Sequence, residues 1–114
     1  MLVYKLLTAD EAAAFNADAR FEGSAADLAD GFVHLSTAEQ VPGTAAKHFA
    51  GRGPLTLVAL EAAALGDALR WEPSRGGALF PHLYRPLLAA DARWQAPYGP
   101  DADGAWPLPG AEAP

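Results

Sequence analysis

Hydrophobic positions along the chain come in short runs, and their period changes from run to run. LVYKLLT (2–8) alternates loosely and carries Val3 and Tyr4, which predicts a first strand. Thr8 stands three residues before Glu11, the spacing of a capping box. The alanine-rich ADEAAAFNADARF behind it predicts a helix ending near Phe21, where EGS supplies a turn. AADLADG (25–31) reads as a loop or a single turn that Gly31 releases into FVHLS (32–36), which has the period of a strand. Pro42 and Gly43 make the next helix start irregularly, so it is expected from about Thr44, through TAAKHFAG, to a cap at Gly51. LTLVALE (55–61), apolar on both faces, predicts a central strand. ALRWEP (68–73) predicts another strand and SRGG (74–77) a hairpin-like turn. LFPHLYRPL (79–87) is expected at a sheet edge or broken by bulges because of its two prolines. AADARWQ (89–95) completes the series.

Two early helices followed mostly by strands predict an α+β fold rather than a doubly wound α/β sheet. The 114 residues suit one domain, expected over residues 1–97. Residues 98–114 form a Pro/Gly-rich tail, on which Trp106 is expected to dock while the last few residues stay loose.

Composition narrows the function. A hydrophobic content of 51% is that of a chain that can bury a core, not of a disordered one. The absence of cysteine excludes disulfides, thiolate catalysis and zinc–cysteine sites. No run of about 18 apolar residues predicts a membrane span, and the N-terminus lacks the pattern of a secretory signal, so the expected location is cytoplasmic. With a net charge of −6 and no basic cluster, the chain is unsuited to long nucleic acids, whereas two or three local donors suffice for a single nucleotide.

Candidate chemistry gathers in three places. In FVHLS, alternation puts Phe32, His34 and Ser36 on one face and Val33 and Leu35 on the other, which is the natural core face. His34, Ser36 and Thr37 then form either one wall of a ligand site or a helix cap with a satisfied strand end. In FPHLYR, Phe80, His82 and Tyr84 share a face that can clamp a flat ring, or that simply belongs to an amphipathic edge strand. In RWEPSRGG, Arg75 precedes two glycines as an exposed donor for phosphate or carboxylate, while Arg70 and Glu72 share a strand face and can pair across strands. His34, His48 and His82 do not have metal-motif spacing, and no serine sits in a nucleophile elbow, so neither a metal site nor a triad is expected.

DGFVHLSTAEQ, TAAKHF, LRWEPSRGG and FPHLYRPL, in this order and spacing, closely resemble a bacterial and plant family known as domain of unknown function 952. The resemblance runs from Tyr4 to about Leu88. It implies a compact ADP-ribosyltransferase-like fold, with two early helices packed on a mostly antiparallel split sheet around a nicotinamide-dinucleotide cleft. On that likeness His34, Glu72 and His82 are the catalytic candidates. Ser36, Thr37, Arg75, Tyr84 and Arg85 are the candidates for holding the cofactor, with NAD as a ligand or substrate. His82 and Tyr84 would form the wall against which nicotinamide stacks, and Glu72 would orient a ribose hydroxyl. Arg85 stands where the family often has glycine, and no carboxylate matches the transferase glutamate cleanly. The resemblance therefore implies either nucleotide binding with transfer-type chemistry or an interaction domain that keeps the fold without the reaction.

Overall fold

The computed structural model describes residues 1–110, and of Arg75 the backbone alone. Residues 111–114, the end of the expected tail, lie outside the described residues. The chain begins with β1 (Leu2–Thr8), α1 (Ala9–Asp18), β2 (Arg20–Phe21), α2 (Ala25–Asp30), β3 (Val33–His34), β4 (Ser36–Thr37) and α3 (Val41–His48). It continues with β5 (Leu55–Glu61), α4 (Ala62–Leu65), β6 (Leu69–Pro73), β7 (Leu79–Leu83), β8 (Leu87–Leu88) and β9 (Ala92–Tyr98). This is an α+β architecture in which every strand pairing is antiparallel.

The larger sheet has the order β4-β1-β5-β9, and β1 pairs with β5 from Leu2↔Glu61 to Thr8↔Leu55. Both of its faces are covered. Val3 and Leu7 join Val58 and Leu60 on one face, under Phe15 of α1, Phe21 and Leu83. Tyr4 and Leu6 join Leu57 and Ala59 on the other, under Val41 and Ala45 of α3. Double coverage explains why LVYKLL and LTLVAL show no clean alternation. Each fully buried leucine or phenylalanine here contributes roughly 1.5–3 kcal/mol. The smaller sheet, β3-β7-β6, and the β2-β8 pair lie on the first face.

The differences from expectation have local causes. α1 starts at its Thr8–Glu11 capping box but stops at Asp18, where Ala19 turns left-handed (φ 59°). The chain leaves the helix so that Phe21 can enter the core beside Leu87. Residues 25–31 hold a true helix, α2, with Ser24 and Asp27 forming its capping box. Pro42 sits in the first turn of α3, where no N–H is missed, so that helix begins at Val41 rather than Thr44.

FVHLS is not one strand. β3 pairs with β7 of the small sheet and β4 pairs with β1 of the large one, so the chain changes sheets at Leu35. β7 is the central strand of its sheet, not an edge, despite Pro81. The N–H and C=O of one extended residue point to the same side, and the Pro81 carbonyl accepts from Leu35 N at 3.0 Å. Proline's missing donor therefore falls at the break between β3 and β4, where no ladder needs it. β9 runs past residue 95 to Tyr98, whose ring stacks on Trp106 (5.8 Å, 27°) and whose hydroxyl donates to the Pro107 carbonyl at 2.6 Å. Burial pushes that hydroxyl's pKa up to about 12. No helix among the described residues is long and apolar enough to cross a membrane.

Candidate functional site

The shortness of β4 opens a cleft. β4 covers only Val3 and Tyr4, so the edge of β1 from Lys5 onward has no strand beside it on that side. There begins a cleft of about 1060 Å³, floored by Tyr4, Lys5 and Leu6. One wall comes from α2, β3 and β7, the other from α3 and the turn after it, and Ser74 and Gly76 approach the mouth. Its size lies just above the roughly 300–1,000 Å³ typical of small-molecule sites.

The first wall is a saturated polar network. The α2 capping box leaves Asp27 pointing inward, only 2% exposed, at a position that also faces β1 and β3. Its Oδ2 accepts from Lys5 Nζ at 3.0 Å and Ser24 N at 2.9 Å; its Oδ1 accepts from His34 N at 3.0 Å and His34 Nδ1 at 2.6 Å. Lys5, itself 6% exposed, also donates to the His34 carbonyl at 3.1 Å. The Nε2 of His34 lies 2.9 Å from the exposed Asp30 carboxylate. Burial alone would push the Asp27 carboxyl up. The His34 hydrogen bond, the Lys5 charge and two backbone N–H groups outweigh it and hold the carboxyl well below the usual range.

Directly opposite His34 in register is His82 of β7, with ring centroids 5.7 Å apart. His82 is buried, and its Nδ1 lies 2.8 Å from Glu72 Oε1 on β6. The same oxygen accepts the Tyr84 hydroxyl at 2.7 Å. That bond and the His82 contact lower the Glu72 pKa, while Glu72 raises that of Tyr84. In the tautomer whose Nδ1 donates to Glu72, Nε2 of His82 is an acceptor. Phe32 stacks on His82 at 4.0 Å and 25° and reaches Tyr84 at 5.3 Å.

Of the residues singled out from sequence, His34, Ser36 and His82 line the cleft. Ser36 is buried, its hydroxyl 3.2 Å from that of Thr44. Thr37 instead exchanges two hydrogen bonds with Gln40 ahead of α3, as a turn residue does. Glu72 and Tyr84 stand behind His82, outside the cleft lining. Phe32 stacks on one face of the His82 ring. Arg85 clamps Asp91 with two bonds of 2.8 and 3.0 Å and lines a separate cavity of about 250 Å³. The Arg75 side chain lies outside the described residues. Among the described residues no group of three or more His, Asp or Glu side chains is arranged to hold a metal.

Sequence reasoning missed Lys5, Asp27, Lys47 and Arg52. A lysine inside an apolar strand and a Ser-x-x-Asp start to residues 24–30 were the available signals for the first two. Lys47 and Arg52 have no such signal, since both look like ordinary surface positions.

No curated protein matches the chain. Among solved structures, the crystal structure of protein CC0527 from Caulobacter crescentus is 56% identical, covers 95% of each chain and superposes with a TM-score of 0.87. Its solution NMR structure is likewise 56% identical, covering 94% of this chain and 92% of that one, with a TM-score of 0.83. Residues 6–95 match the family described as "Protein of unknown function (DUF952)", and the chain belongs to that family.

Proposed function

We propose that the cleft binds a nucleotide of NAD or ADP-ribose type, within a frame of ADP-ribosyltransferase-like design. The observation that carries this reading is the register pairing of His34 with His82 in a cleft that Lys47 and Arg52 also line. Ser36 and Thr44 add hydroxyls between the two walls. His82, oriented through Nδ1 by Glu72, offers Nε2 to a ligand hydroxyl. His34 reaches a ligand through Nε2 once the exposed Asp30 gives way. A single nucleotide suits the acidic chain where a long nucleic acid does not, and a cytoplasmic location accords with such a ligand.

Binding without transfer is the version the contacts favour. Glu72 Oε1 is held by Tyr84 and His82, and Asp27 accepts four donors, so both carboxylates already serve protein groups rather than a ribose hydroxyl. NMR titration of labelled protein with NAD⁺, ADP-ribose and AMP tests the reading. Saturable shifts at residues 32–38 and 80–85 are expected, and His34→Ala should weaken binding by about 1–3 kcal/mol, the cost of a lost buried partner. Silence at millimolar ligand would leave an interaction domain in place of a nucleotide site.

A further inference from the structure

The chain carries 14 acidic residues against 8 basic ones, so a cation here has no shortage of counter-ions. Lys5, Arg20, Arg85 and Arg93 each hold a carboxylate, and Arg70 lies over the Tyr84 ring at 4.8 Å. Among the described residues Lys47 and Arg52 make no ion pair, and both line the same rim of the cleft. Lys47 is in the last turn of α3, and Arg52 follows the helix in the Gly51–Gly53 turn. Ser74 and Gly76 line the same cleft, and Gly76 adopts φ 69° with nothing within 4 Å of a Cβ built on it. The backbone at Gly76 carries no side chain and has open space beside it.

We propose that Lys47 and Arg52, in the cleft that Ser74 and Gly76 also line, form the subsite for a diphosphate group, so that the ligand is a nucleoside diphosphate or a dinucleotide whose ring end points to His82. Two cations match two phosphates. On the first wall the Asp27 charge is offset by Lys5, whereas the exposed Asp30 disfavours an anion there, and this orients the ligand. The subsite rests on the nucleotide reading for its ring end but stands by itself for its anion.

Inorganic pyrophosphate is therefore the first probe, followed by ADP-ribose and adenosine, each titrated calorimetrically at low salt against the wild-type protein and the Lys47→Ala/Arg52→Ala variant. Pyrophosphate and ADP-ribose should bind the wild type and lose about tenfold or more in affinity for each cation removed, one charge-assisted hydrogen bond apiece, while adenosine is unaffected. Wild-type affinity for both phosphate ligands should fall steeply with added salt. Equal ADP-ribose affinity in the two proteins, or no pyrophosphate binding, overturns the subsite and leaves the nucleotide reading standing. Pyrophosphate binding that depends on the two cations, without binding of any nucleotide, would keep the subsite and remove the nucleotide reading.

Discussion

The two walls of the cleft are built on opposite principles. On the wall of α2, β3 and β7, Asp27, His34 and His82 are held by protein partners that include Lys5 of β1 and Glu72 of β6, and Asp27, Lys5 and His82 are buried. On the α3 rim, Lys47 and Arg52 are exposed and make no ion pair among the described residues. A buried ion pair must satisfy its charges internally, because each charge has lost its water. An exposed cation loses little by waiting for a ligand. The first wall thus holds geometry and the second is available for binding, and mutations should separate the two.

The largest effect is expected at Asp27. Asp27→Ala leaves Lys5 buried without its counter-ion and should cost about 3–5 kcal/mol in denaturant unfolding. A Lys5→Met/Asp27→Leu double variant should recover much of that, since both charges then leave together. A single-variant loss under about 1 kcal/mol would mean that water already solvates the pair and that the wall is not held as described.

Acid provides a graded version of the same break. The folded Asp27 pKa lies below that of the unfolded chain, roughly 3.9, so near that pH the unfolded state takes up a proton that the folded state refuses. Its contribution is complete above the unfolded value and is lost as the pH falls toward the folded one, by about 1.4 kcal/mol for each unit crossed. Glu72 and Asp91 titrate in the same sense. Unfolding free energies measured from pH 5 downward should fall, and the slope should be shallower in Asp27→Asn. Equal slopes would place the acid sensitivity elsewhere.

The smallest effect belongs to the rim. Lys47→Ala/Arg52→Ala should change stability by no more than about 0.5 kcal/mol in the same unfolding assay, as for surface positions without partners. A larger loss would make the two side chains structural and erase the contrast between the walls.

Several features of this site were legible in the order of the residues. Alternation along FVHLS separates His34 from Val33 and Leu35, and those two side chains are indeed buried in the core. The same rule places Phe80 and His82 together, and both line the cleft. Thr8 and Glu11 mark where α1 begins. Other features were hidden. Pro81 reads as an edge signal, and only the sheet change at Leu35 shows why a central strand tolerates it. Ser36 and Thr37 look alike as neighbouring hydroxyls, yet one is buried against Thr44 and the other caps a turn.

By itself, then, the sequence determined the α+β class, the core face of Val33 and Leu35 and where α1 begins, because these depend on residues a few positions apart. Only the tertiary structure decided that Lys5 meets Asp27, that Glu72 serves His82, that Phe32 stacks on His82 and that Lys47 and Arg52 make no ion pair among the described residues. Those outcomes depend on which strands pair and on how far β4 covers β1. Charges distant in sequence are paired or left free by that packing, and no local pattern encodes it.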